Sequence, residues 1–201
     1  MHKEIHQWYS PRLNKNMDIA VYGHYGFALL LIPTAAADFL EYERFQLLKA
    51  IEKPINEGKV KVFSINSINM ESWLNKDMHP RHKAIRHQQF NEYVFQEVVP
   101  FIQDKTSLDS PIITCGASFG ALHALNMFLK RPDLFKGTIA MSGSYDLSYY
   151  TNDYWDNDVY FNSPMHYLKN LQDDNYLRKI REAKKILIST GSGAWERPQF
   201  S

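Results

Sequence analysis

Apolar and polar residues alternate through residues 4–9 and again through 17–22, on either side of a polar turn at Asn14-Lys15-Asn16. That pattern predicts an N-terminal antiparallel hairpin. Residues 27–32 are apolar throughout, as expected of a strand covered on both faces of a sheet. Asp38 offers an N-cap for a helix over 39–57, which Pro54 must end or kink and Gly58 closes. Residues 60–66 return to a strand pattern, and a polar loop then carries Glu71-Ser72-Trp73 and His79-Pro80. From 82 to 105 the apolar positions Phe90, Val94, Val98, Phe101 and Ile102 form a helical stripe. Residues 112–115 read as a buried strand, 121–130 as a helix stopped at Arg131-Pro132, and 137–142 as another strand. An aromatic-rich loop spans 145–167. Ser163-Pro164 opens a short helix to Leu171, 174–183 forms a further helix, and 185–190 is the last strand. Strands alternating with helices after a hairpin predict an α/β sandwich on a mostly parallel sheet. Neither repeat nor linker divides the chain, so residues 1–201 are expected to form one domain.

Between the strand at 112–115 and its helix stands Gly116-Ala117-Ser118-Phe119-Gly120. Strand, G-x-S-x-G, helix is the pattern of a nucleophile elbow in an α/β-hydrolase-type sandwich. Glycines at 116 and 120 let the two backbones approach. Ser118 is then forced into a strained turn with its hydroxyl projecting outward. The N–H of Phe119, at the start of the helix, is positioned to donate to an oxyanion. A second donor belongs on the loop after 27–32, where the small residues Ala35 and Ala36 are the candidates.

Composition narrows the remaining classes. At 201 residues, 44% apolar and 22% charged, the chain has the make-up of a soluble globular protein. A formal net charge of +1 without basic runs gives no footprint for nucleic acid or an anionic membrane. The longest apolar run, 27–32, is too short to span a bilayer. Cys115 is the only cysteine, so no intrachain disulfide can form. With no signal-peptide pattern at the N-terminus, a cytoplasmic location is expected.

A serine nucleophile needs a base and a group to orient it. In this architecture the order along the chain is serine, acid, histidine. Glu196, just past the last strand, takes the acid's place. Asp146 is the runner-up, though a turn or cap role suits it better. All eight histidines precede Glu196. His123 lies within the helix leaving the elbow and should point away from the hydroxyl, while His166 is the remaining one able to swing in. His79, His82 and His87 lack the spacing of a zinc helix and are expected on loop and helix surfaces, so no metal or cofactor is implied. The final strand is also followed by only a short tail. The expectation is a chain truncated at its C-terminus, with a strand, a helix and the histidine missing, or a natural form with a weakened or borrowed base. An open edge at the last strand would then invite a second copy, giving a homo-oligomer.

Taken together, the segments 116–124, Arg131-Pro132-Asp133-Leu134-Phe135 and Met141-Ser142-Gly143-Ser144-Tyr145-Asp146 resemble the Putative esterase (esterase D-like) family of α/β-hydrolases. Pro33-Thr34, Glu71-Ser72-Trp73, His79-Pro80-Arg81, Arg86-His87, 158–162 and Gly191-x-Gly193 are similar to its compact bacterial branch. The resemblance implies a serine esterase acting on a small-molecule ester through an acyl-enzyme on Ser118, with Glu196 as acid and Phe119 with Ala35 or Ala36 as oxyanion donors. It also implies a downstream histidine segment, which this sequence lacks. Two other readings follow from the same residues: a non-catalytic binding module of the fold, and an acyltransferase.

Overall fold

The computed structural model describes residues 1–183, 185–194 and 196. A seven-stranded sheet runs in the order β1-β2-β4-β3-β5-β6-β7. Strands β1 (Lys3–Ser10) and β2 (Lys15–Tyr22) form the antiparallel hairpin, and β2 also pairs antiparallel with β4 (Val60–Ile65). The strands β3 (Phe27–Ile32), β5 (Ile112–Ala117), β6 (Phe135–Met141) and β7 (Ile186–Ser189) continue it in parallel. The hairpin turn falls at 11–14, earlier than the polar triplet suggests, because Asn14 adopts φ 54° and closes it. Lys15 and Asn16 already belong to β2.

Alternation along the strands divides the core in two. Leu30, Ile32, Phe63 and Ile65 face one layer, and Leu29, Leu31, Val62 and Cys115 face the other. The first layer is covered by α4 (Pro80–Tyr93), α5 (Val99–Lys105) and α6 (Phe119–Lys130). Helix α4 begins at Pro80, with the ring of His79 accepting the N–H of Arg81 as its cap (3.3 Å). A π turn, Val94–Val98, joins α4 to α5. It sits directly ahead of Pro100, which has no N–H to contribute and whose ring needs room at the carbonyl of Gln96. Helix α6 is buried from Phe119 to Leu129, mostly apolar around its circumference, between the sheet and α4.

The helix expected over 39–57 is instead three short pieces: α1 (Glu41–Arg44), α2 (Leu47–Ala50) and α3 (Glu52–Asn56). Gln46 is left-handed at φ 65°, which breaks the run well before Pro54. These pieces cover the second layer through Tyr42, Leu48 and Ile55. The aromatic segment folds as α7 (Ser148–Thr151), α8 (Asn157–Tyr160) and α9 (Pro164–Tyr167), and α10 (Asp174–Glu182) leads to β7. Strand β7 lies at the sheet edge with Ile186, Leu187 and Ile188 about half exposed. Among the described residues, no helix is long and apolar enough to cross a membrane.

Candidate active site

Between β5 and α6 the chain turns within a single residue. Ser118 has φ 55° and ψ −119°, a conformation costing about 1–3 kcal/mol for a non-glycine residue. The surroundings explain how that cost is met. A Cβ on Gly116 would stand 2.2 Å from the backbone of Gly120, and a Cβ on Gly120 would stand 2.2 Å from the carbonyl oxygen of Ile32. Strand end, helix start and the end of β3 are therefore in backbone contact, which only glycine allows. The N–H of Ser118 donates to Met141 O at the end of β6 (2.9 Å), and its carbonyl accepts from Ala121 and Leu122 in α6. The buried Tyr42 closes the arrangement: its hydroxyl donates to Ile32 O (2.8 Å) and accepts the N–H of Ala117 (3.0 Å). Burial holds that phenol far above its ordinary pKa, so it stays protonated and keeps both bonds.

The turn leaves Ser118 exposed, and its hydroxyl has no hydrogen-bond partner among the described residues. Phe119 supplies the first N–H of α6, which no carbonyl inside the helix can accept. Residues 33–38 run alongside. The buried carboxylate of Glu41 accepts the N–H of Thr34 (2.8 Å) and also its hydroxyl. Thr34 N–H is thereby occupied, while those of Ala35 and Ala36 donate to no described group. On the far side, Asn69 Nδ2 donates to Thr34 O (3.4 Å), and Asn69 Oδ1 lies 2.6 Å from His123 Nε2.

Glu196 is set at the carboxyl ends of β6 and β7, beside the elbow. Ser142 Oγ donates to its Oε1 (2.8 Å) and Thr190 Oγ1 to its Oε2 (3.3 Å). Ser142 follows Met141 in a left-handed conformation (φ 50°), and its N–H donates to Ser189 O (2.7 Å). One strand end thus carries both the acceptor for Ser118 N–H and the hydroxyl that holds Glu196. Asp146 accepts the N–H and hydroxyl of Ser148, as a local turn would require.

No histidine forms a hydrogen bond with Ser118 or Glu196 among the described residues. His123 is fully buried, and burial depresses its pKa to about 3. His166 bonds Ser163 Oγ (2.8 Å) and packs on Trp155 at 4.0 Å. His87, expected on a helix surface, is buried instead. It stacks on His123 at 5.0 Å between centroids, with both ring nitrogens unpartnered, because the polar pattern of α4 gives no sign of which face meets α6. Burial, with the nearby His123 and Lys130 also opposing a charge there, pushes its pKa well down. Glu41, Tyr42, Asn69 and Ser142 are the site residues that the sequence reading did not find. Each acts through a partner distant in the chain or through a strained backbone, for which linear spacing carries no signal.

A family model described as Putative esterase matches residues 49–198. Among curated proteins none matches. In structure the chain is similar to the S-formylglutathione hydrolase of Staphylococcus aureus, with TM-score 0.62 and 18% identity, over 96% of this chain and 81% of that one. It is also similar to the S-formylglutathione hydrolase of Agrobacterium tumefaciens (TM-score 0.63, 17% identity, 97% and 77% covered). A ferulic acid esterase superposes with TM-score 0.66 at 14% identity, over 94% of this chain and 90% of that one. These likenesses establish an α/β-hydrolase fold.

Proposed function

The chain belongs to the Putative esterase family, and on that premise we propose that it is a serine esterase acting through an acyl-enzyme on Ser118. The observation that carries the proposal is the strained turn of Ser118, which holds an exposed, unpartnered hydroxyl beside the free N–H of Phe119. Ser118 Oγ attacks the carbonyl carbon of a small-molecule ester, the C–O bond to the alcohol breaks, and the alcohol leaves with the proton. Water then cleaves the acyl-serine, releasing the acid and restoring the hydroxyl. The N–H of Phe119, with that of Ala35 or Ala36, stabilises the oxyanion in both steps. Glu196, held by Ser142, orients the proton acceptor. Among the described residues no histidine is hydrogen-bonded to Ser118 or Glu196; His123 is held by Asn69 and His166 by Ser163.

The test is turnover of a short p-nitrophenyl ester by wild type and Ser118→Ala, with intact mass recorded in the first turnovers. An acyl adduct and a rate lost by several orders of magnitude in the variant are expected. Equal turnover by both proteins refutes the role of Ser118. The isolated imidazoles favour one second reading, a binding module of the same fold. Ester binding by both proteins without turnover would establish it.

A further inference from the structure

A cavity of about 480 Å³ opens at the C-terminal end of α6, beneath α8, α9 and α10. Helix α6 is 12 residues long, so roughly 17 Å of helix separates its far end from Ser118. The cavity is therefore not part of the elbow. Its volume falls within the roughly 300–1,000 Å³ of small-molecule sites. Five aromatic rings wall it: Phe95, Tyr160, Phe161, Tyr167 and Tyr176. Three of these are tyrosines whose hydroxyls are already engaged. Tyr167 donates to Asn126 Oδ1 (2.8 Å), Tyr176 to Leu129 O (2.5 Å), and Tyr160 accepts from Asn170 (2.9 Å). What they offer a ligand is mainly ring surface, with Tyr160, an acceptor in its bond to Asn170, keeping its own O–H to donate.

The cavity's charged groups are unequal. Arg131 is matched by Asp133 (2.7 Å) and lies over the ring of Phe95. Glu92 is the carboxylate on the wall, and it accepts from Gln88 Nε2 and Gln96 Nε2. Lys130 Nζ donates to the neutral oxygens of Gln88 (2.9 Å) and Asn162 (2.7 Å) and forms no ion pair with a described carboxylate. An ammonium carries three protons, so one remains for an acceptor in the cavity. Burial draws the pKa of this lysine down to about 8 while the nearby Glu92 carboxylate opposes the shift, so a cost of burying a charge that is only partly offset remains. A bound carboxylate removes that cost.

We propose that this cavity binds a small aromatic carboxylate, its ring packed among the five aromatic side chains and its carboxylate on Lys130 Nζ. The test is a calorimetric titration of sodium benzoate, with benzyl alcohol as the uncharged counterpart, near neutral pH. Wild type binds benzoate more tightly than benzyl alcohol. Lys130→Met weakens benzoate about tenfold or more, as loss of a charge-assisted hydrogen bond should. The same variant leaves benzyl alcohol unchanged, and Ser118→Ala alters neither. Phe161 stands exposed at the rim, so Phe161→Ala tests the ring contacts without risk to the fold and is expected to weaken both ligands. It decides the matter if Lys130→Met does not fold. Absence of benzoate binding by wild type overturns the proposal. So do an unchanged affinity in both cavity variants and a loss of binding in Ser118→Ala.

Discussion

Tyr42→Phe removes one oxygen atom from the interior, and that oxygen joins the ends of two strands. It donates to Ile32 O and accepts from Ala117 N–H, at 2.8 and 3.0 Å. Two hydrogen bonds, each worth about 1 kcal/mol net, are lost. Ala117 N–H is the costlier loss, because burying a donor with no acceptor adds about 1–3 kcal/mol. The sum is about 3–5 kcal/mol, and for a chain of this length that lowers Tm by roughly 6–20 °C. Tyr22→Phe provides the control. The ring of Tyr22 is equally buried, yet its hydroxyl reaches only the exposed carboxylate of Glu43 (2.8 Å), and its loss should cost about 1 kcal/mol or less. Urea denaturation of the three proteins, followed by tryptophan fluorescence, yields both differences. Stability equal in the two variants would show that the Tyr42 bridge holds nothing, and the account of the elbow would fail with it.

Gly120→Ala should be harsher. Its Cβ meets the carbonyl oxygens of Ile32 at 2.2 Å and Pro33 at 2.9 Å, both backbone, so no side chain can rotate away. A loss of about 3 kcal/mol or more in unfolding free energy is expected, and a wild-type urea midpoint would contradict the close approach. The buried imidazoles set a pH dependence. The folded state keeps His123 neutral down to about pH 3 and holds His87 neutral well below 6.5, whereas the unfolded chain protonates both near 6.5. The unfolded state therefore binds more protons throughout that window. Stability is full above about pH 6.5 and falls as the pH drops, by up to about 1.4 kcal/mol per pH unit for each histidine. His87→Phe should remove about one proton from that slope in urea titrations between about pH 7.5 and about pH 5, and an unaltered slope would refute the assignment.

The parts of this fold visible in the sequence are those governed by local pattern. Strand β3 occupies the predicted residues because a short run of six apolar positions, closed by Gly26 and Pro33, suits a strand buried on both faces. The elbow was equally plain, since its glycines are dictated by contacts that any G-x-S-x-G turn must make. The segment 39–57 misled because its composition suits a helix, while one left-handed residue, Gln46, redirects the chain so that Glu41 and Tyr42 turn inward. That choice is made by Thr34, Ile32 and Ala117, none of them a neighbour in sequence. The position of Glu196 could be expected from the end of the last strand. Its link to Ser142 could not, since a left-handed serine is invisible without the backbone.

Helix α6 has a consequence for how such a protein can change over time. Because almost every one of its residues is interior, substitutions along it alter the core and the setting of Ser118 together. A mutation there cannot adjust reactivity without also drawing on the stability margin of about 5–15 kcal/mol that holds the whole chain folded. The segment from Tyr145 to Tyr167 is coupled less tightly: Tyr145, Leu147 and Val159 are buried in the core, while Tyr149, Trp155 and Phe161 reach solvent. The exposed positions of that roof can vary while the floor stays fixed. Related proteins should therefore differ most above the serine and least beneath it.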